Sequence, residues 1–261
     1  MSQQVSAPVP AATVLMLRQR ESMEVFMVVR HHQIDFASGA LVFPGGKADP
    51  ADFDPKLLDH LDSPHADPAM RAMQVAAIRE SFEECGVLLA RAEGQSQLIS
   101  GERLTALEPY QKQLNDGAIS ITEFLVREKL RLACDQLHHF AHWITPKMLP
   151  KRFDTHFFLA IAPEDHLAVH DGHENVDSVW IKPADAVASA HDGRRTIIYP
   201  TLRNVERLAK FSTPEEALAN CRAQAVVPIE PWNDKRDDGV WLCIPTNAGY
   251  DICEEKMPAR G

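Results

Sequence analysis

The chain has 261 residues, 45% of them apolar and 25% charged, which is the balance of an ordinary globular protein with material for a real core. That length suits one enlarged domain, or a domain with a small partner, better than two full ones. With 37 acidic against 27 basic residues the formal net charge is −10, the reverse of what docking on nucleic-acid phosphates requires, although a small phosphorylated ligand stays open. No run of 18 apolar residues occurs, so no membrane span and no membrane partner are expected. The N-terminus lacks a basic start followed by an apolar block, so no secretory signal is expected. The five cysteines (Cys85, Cys134, Cys221, Cys243 and Cys253) are odd in number and form no CxxC pair. Neither a disulfide framework nor a zinc knuckle is indicated, and a reducing cytoplasm is the expected location. The C-terminal Met257-Pro-Ala-Arg-Gly261 is not an SKL-type peroxisomal address.

In chain order, residues 1–11 are small, Pro-containing and read as a flexible terminus. Thr13–Arg18 and Glu24–Arg30 are apolar β-leaning runs that predict a hairpin. Ala40–Phe43 is a short strand ending in the turn Pro44-Gly45-Gly46. Residues 47–68, rich in Pro and Asp, read as a loop with one helical turn at Lys56–Leu61. Ala69–Cys85 is an uninterrupted run of helix formers, with Asp67 as cap, Pro68 at its first turn and Gly86 closing it. Val87–Ala90 reads as a strand, and residues 102–133 as two helices broken near Asn115-Asp116-Gly117. His138–Ile144, Thr155–Ile161 and Ser178–Ile181 read as strands, Pro183–Ala190 as a short helix, and Val205–Lys210 and Pro214–Ala223 as C-terminal helices. Gly239–Ile244 is the last expected strand. The alternation predicts an α/β (α+β) fold, a mixed sheet sandwiched by helices.

Chemistry concentrates in Arg79-Glu80-Ser81-Phe82-Glu83-Glu84-Cys85-Gly86-Val87. On a helix Glu80, Glu83 and Glu84 stand at i, i+3 and i+4 and share one face, where like charges repel. They also occupy the last turn, where the helix dipole disfavours anions. Divalent cations would relieve both penalties, and an all-oxygen set favours Mg²⁺, Mn²⁺ or Ca²⁺ over zinc. Arg79 is placed to orient one carboxylate, and Gly45 and Gly46 would let backbone approach a ligand closely.

Phe43-Pro44-Gly45-Gly46 together with Arg79–Val87 resembles the Nudix box, GX5EX7REUXEEXGU. Arg79, Glu80, Glu83, Glu84 and Gly86 match its second half, and Ser81 departs at a usually aliphatic position. Gly46 and Arg79 are separated by 32 residues, about 19 more than the box allows. The box's first glutamate falls on Arg71, with Asp52 and Asp67 as candidate substitutes. An interrupted box is similar to that of larger Nudix hydrolases, a subgroup that includes the peroxisomal coenzyme A diphosphatases of animals. Pro150–Ala160, with its Arg152-Phe153-Asp154-Thr155, resembles that subgroup, as do His173–Trp180 and Tyr199-Pro200-Thr201.

The resemblance implies a Nudix-type domain over residues 12–211, its box split by the insertion 47–68. A helical insertion spans about 95–135, and a C-terminal extension, 212–261, packs on the domain. It implies a Mg²⁺- or Mn²⁺-dependent hydrolase of a diphosphate linkage in coenzyme A or acyl-CoA. A nucleotide sugar, ADP-ribose or a dinucleotide is the alternative substrate, and a non-hydrolytic nucleotide-binding module the alternative class. Glu80, Glu83 and Glu84 are then the metal ligands, Arg79 orients Glu80, and Gly45 and Gly46 shape the adjoining loop. Glu174 is the candidate base in a later loop, Arg30, Arg152 and His156 are candidate phosphate or adenylate contacts, and Phe153 or Trp180 could stack on a base. His138 and His142 share a strand face without making a site. His166, His170 and His173 are a weak transition-metal candidate, and Cys85 is expected to be buried. A homodimer is compatible with the family.

Overall fold

The computed structural model describes residues 6–30, 39–166 and 175–258. Its centre is β1 (Val9–Gln19), in which Val14 and Met16 face one way and Leu15 and Leu17 the other, all buried. A strand that is apolar on both faces belongs in the middle of a layered fold. β1 forms the expected hairpin with β2 (Met23–Arg30), Leu17 pairing Val25 and Gln19 pairing Met23. It begins at Val9, so part of the stretch read as flexible is strand. The next two strands are short: β3 (Leu41–Val42) pairs the far end of β2, and β4 (Gly45–Lys47) pairs the near end of β1.

Residues 47–68 are more ordered than a loop. Asp49 and Asp54 accept the backbone N–H groups of Ala51 (2.8 Å) and Lys56 (2.9 Å), capping two 3-10 turns at Pro50–Phe53 and Pro55–His60. β5 (Leu61–Asp62) follows. The helix α1 (Pro68–Cys85) carries the glutamate cluster, capped by Asp67 and ended by Gly86 at φ +65°. After β6 (Ala90–Ala92) come three helices where two were expected: α2 (Gly101–Leu107), α3 (Pro109–Asn115) and α4 (Ile121–Glu128). Pro109, lacking an N–H, restarts the helix at its first turn. β7 (Leu130–Ala133) then closes a small sheet of order β5-β7-β6.

Two long strands, β8 (His138–Ile144) and β9 (Phe153–Ile161), and then β10 (Asn175–Ile181) return to the main sheet. They are followed by α5 (Pro183–His191), α6 (Tyr199–Leu208) and α7 (Pro214–Ala223). The helix expected from Val205 thus starts at Tyr199, with Pro200 in its first turn. β11 (Pro228–Ile229) joins the main sheet, and β12 (Trp232–Arg236), β13 (Gly239–Cys243) and β14 (Glu254–Lys256) form a separate antiparallel sheet, so Gly239–Cys243 is not the last strand.

The main sheet has the order β10-β2-β1-β9-β8-β11. β1 and β9 run parallel from the pair Val9–Phe153 to Leu17–Ile161, β8 and β11 are also parallel, and the remaining pairs are antiparallel. One face, with Val14, Met16, Phe26 and Phe158, packs on α1 and the 99–137 insertion. The other, with Leu15, Leu17, Phe140 and Leu159, packs on Val205, Leu208, Leu218 and Tyr250 of the C-terminal region. The chain is therefore an α+β sandwich with a mixed sheet between two helical layers, and residues beyond 211 supply part of its second core.

Candidate active site

The split box is rejoined in space. β4 lies against β1, Thr13 opposite Gly45 and Ala12 opposite Gly46, and so sets the glycine turn beside the last turns of α1. A Cβ on Gly46 would fall 2.4 Å from Glu80 Oε2, and one on Gly45 would fall 2.3 Å from the Ala12 carbonyl oxygen. Gly45 requires glycine because a Cβ would meet backbone at a positive φ, whereas at Gly46 a Cβ would displace the Glu80 carboxylate. The N–H of Gly45 donates to Glu84 Oε2 at 2.9 Å.

Arg79 is buried at the centre of the site. Its guanidinium pairs with Glu80 Oε1 (2.9 Å) and donates to Glu83 Oε2 (3.0 Å) and to the carbonyl of Lys47 (3.0 Å). Its other edge meets Asp52 in a two-point pair, Nε to Oδ1 at 2.9 Å and Nη2 to Oδ2 at 3.0 Å. Asp52 is 2% exposed, and its carboxylate also accepts the N–H of Asp49 at 2.8 Å. Asp52 thus holds Arg79, the residue expected to orient Glu80. The signal was present in the spacing: Asp52 stands six residues after Gly46, as the first glutamate stands after the glycine in GX5E, with Asp for Glu. The extra residues lie between Asp52 and Arg79, and Asp67 caps α1 instead.

Burial raises the Asp52 carboxyl above its ordinary range even with Arg79 beside it. It raises Glu83 to about 7, an effect that Arg79 offsets in part and Glu80 reinforces. Oε1 of Glu83 is buried without a hydrogen-bond partner, a costly state for a carboxylate oxygen that a proton or a cation would relieve. The donors of Glu80, Glu83 and Glu84 are all hard oxygens, a set that fits Mg²⁺ or Mn²⁺. The arrangement is looser than one ion would impose. Among the described residues the box carboxylates do not bring three ligand atoms within 4.8 Å of one another, because Glu83 is turned to Arg79 and Glu84 to the Gly45 N–H.

A cleft of about 960 Å³ opens from Glu80, Gly45 and Gly46. Arg30, Lys47 and Lys151 line it beside Glu80, and Trp143, Phe153, Phe157, Leu242 and Met257 give it an apolar wall. The apolar wall comes from β8, β9 and the C-terminal sheet, and local patterns gave no indication of it beyond Phe153.

Two of the expected phosphate contacts need correction. Arg152 is 6% exposed and is fully engaged by the carbonyls of Thr145 and Ser6 (2.9 Å each) and by Glu230 (2.9 Å). It ties Ser6 and Thr145 to Glu230, just beyond β11, and does not line the cleft. His156 lies on the opposite face of β9 from the cleft, stacked on His142 with ring centroids 4.0 Å apart. Arg30 does line the cleft. Trp180, partly buried, packs on Phe26 and under Arg18 and does not line the cleft. His166 is buried with Nε2 3.0 Å from the Ile99 carbonyl oxygen. Glu174, His170 and His173 fall outside the described residues. Cys85 is buried in the core as expected, and no helix among the described residues is long and apolar enough to cross a membrane.

Comparison with known proteins agrees with this geometry. The family described as the NUDT19 Nudix domain matches residues 59–208, more than half of the chain. The human acyl-coenzyme A diphosphatase NUDT19 is 30% identical over 169 residues, 62% of this chain and 45% of that protein. A nudix hydrolase of Caenorhabditis elegans is 26% identical over 200 residues, 77% of this chain and 60% of that one. The chain thus spans roughly half the length of these relatives. The crystal structure of a NUDIX hydrolase from Alicyclobacillus acidocaldarius superposes with a TM-score of 0.70 at 26% identity, covering 83% of this chain and 97% of that one. With the box residues assembled around Arg79 and this family match, the chain belongs to the Nudix hydrolase family, in its NUDT19 Nudix-domain group.

Proposed function

We propose that the protein is a divalent-metal-dependent diphosphatase of coenzyme A or acyl-CoA. The observation that carries the reading is the cleft, which Glu80 and the basic residues Arg30, Lys47 and Lys151 line together with an extended apolar wall. Such a shape suits a substrate with a charged diphosphate and a long, partly apolar arm. The acyl-coenzyme A diphosphatase name of the human relative points the same way.

Glu80 and Glu84 are the proposed metal ligands, and Glu83 completes the set. A divalent cation bound there would neutralise charge on the diphosphate and acidify a coordinated water. The chain's own contribution is positioning. Asp52 fixes Arg79, Arg79 fixes Glu80 and Glu83, and the Gly45 N–H fixes Glu84. Gly46 leaves the space that the Glu80 carboxylate occupies. Arg30 and Lys47 supply positive charge beside the diphosphate. Glu174 is proposed as the base from the later loop.

The test is hydrolysis of coenzyme A, acyl-CoA, ADP-ribose, a nucleotide sugar and a dinucleotide with Mg²⁺ or Mn²⁺, comparing wild type with Glu84→Gln. Coenzyme A should yield 3′,5′-ADP and phosphopantetheine, and Glu84→Gln should lower kcat by about a hundredfold or more. Preferred turnover of another diphosphate would overturn the substrate assignment, and no metal-dependent turnover of any would overturn the activity.

A further inference from the structure

On the face of the main sheet opposite the cleft, β8 and β9 bring a second group of ligating side chains together. His142 pairs directly with His156 across the two strands, and Asp154 lies two residues before His156 on the same face of β9. His142 Nε2 contacts Asp154 Oδ1. One ligand atom from each of His142, Asp154 and His156 can be chosen so that all lie within 4.8 Å of one another. Donors in a tetrahedral zinc site stand about 3.3 Å apart, given Zn–N distances near 2.0–2.1 Å. Small side-chain rotations therefore suffice to close the set.

Two further features shape the site for a metal. The register of β8 shifts between His139 and Ala141. That bulge turns His139 to the same face, where its Nε2 lies 3.1 Å from Nδ1 of His156. An imidazole whose one nitrogen is engaged by a neighbour presents the other to a metal in a fixed orientation, the usual outer arrangement around a ligating histidine. The group is also reachable, since the side chains of His142 and Asp154 are 15% and 34% exposed.

We propose that His142, Asp154 and His156 form a zinc-binding site, separate from the glutamates of the box and complementary to them in chemistry. Two imidazoles and one carboxylate suit Zn²⁺ far better than Mg²⁺, whereas the box glutamates suit the harder ion. The site's role is to cross-link β8 to β9 behind the cleft. Trp143 and Thr155, which line the cleft, adjoin His142 and His156 in sequence. An ion there would stiffen the wall without touching the substrate.

The experiment is titration of the chelator-treated full-length protein with Zn²⁺, and with Co²⁺ as a visible-absorbing probe. Wild type and Glu84→Gln should each bind one equivalent through the histidine site. Both should give the Co²⁺ absorption of nitrogen ligation, and saturating Mg²⁺ should not displace the ion. His142→Gln and Asp154→Asn, which keep side-chain volume and so the fold, should bind at least about tenfold more weakly. They should also lose the Zn²⁺-dependent rise in Tm that wild type shows. Zinc affinity unchanged in these variants, or lost instead in Glu84→Gln, would overturn the site. So would wild type that binds no stoichiometric zinc, which would leave a plain cross-strand pair.

Discussion

Arg79 holds four partners from inside the protein: Asp52, Glu80, Glu83 and the Lys47 carbonyl. A buried guanidinium in such a position acts as a fixed fork, and the residue that fixes the fork controls the others. Asp52→Ala leaves Arg79 with an unpaired edge at a buried site. It should cost about 3 kcal/mol of stability and lower kcat by misplacing Glu80. Asp52→Glu, which restores the acid usual in the box, should retain more of both; thermal denaturation and kinetics on the same samples check this. Glu83 gives a pH dependence of opposite origin. Its folded-state pKa is about 7 against an ordinary 4.5, because burial disfavours its charge. Between those values the folded protein binds more protons than the unfolded chain, so this contribution to stability is present below pH 4.5 and is lost as pH rises through 7. Denaturant unfolding with chelator present should show stability falling over that window in wild type, and Glu83→Gln should flatten the fall. Arg79, Glu80 and Asp52 all face this carboxylate, so the Gln variant must also keep the Arg79 contacts for the comparison to hold.

At the level of elements, the pairing of β4 with β1 makes the two adjacent glycines fail differently. Ala at Gly46 meets the far end of the Glu80 side chain, which can move aside. Gly46→Ala should therefore lower activity strongly with little loss of Tm. Ala at Gly45 meets the backbone of Ala12 and Thr13 at a φ of +149°. Gly45→Ala should instead loosen the β1–β4 pairing and lower Tm by several degrees, as melting curves of the two variants would report. Elements with local signals were legible in the sequence. The cap Asp67, Pro68 and Gly86 bounded α1 correctly, and the periodic apolar runs gave β1, β2, β8 and α7. Glu80, Glu83 and Glu84 could be singled out because a helix places i, i+3 and i+4 together. Asp52 stands in the sequence only as one of two candidate substitutes, because nothing nearby singles it out from Asp67; its spacing from Gly46 and its contact to Arg79 across the inserted residues identify it. That Arg152 and His156 lie off the cleft was hidden for the same reason. Which face of β9 a residue takes, and which acid meets its guanidinium, are decided by strands distant in sequence.

The whole molecule rests on two cores separated by one sheet, and the second is completed by residues beyond 211. Leu218, Ile229, Ile244 and Tyr250 cover the face that Leu15, Leu17 and Leu159 present. Tyr250 donates its hydroxyl to Asn204 at 2.6 Å and accepts from Trp143 Nε1 at 3.2 Å, linking the C-terminal region to the cleft wall. A chain ending after Phe211 should therefore expose that face and aggregate or melt without cooperativity, as calorimetry and solubility would show. The parallel pairing of β1 with β9 has a consequence for the order in which the protein can be made. During synthesis the hairpin of β1 and β2 emerges early with one long edge of β1 open. The strand that completes it, Phe153–Ile161, appears only after the box helix and the whole insertion have left the ribosome. Folding is thus governed by a late, sequence-distant closure, slow by the general dependence of rate on contact separation. Until that closure the nascent chain carries an unprotected edge of apolar residues, an early hazard for a growing chain.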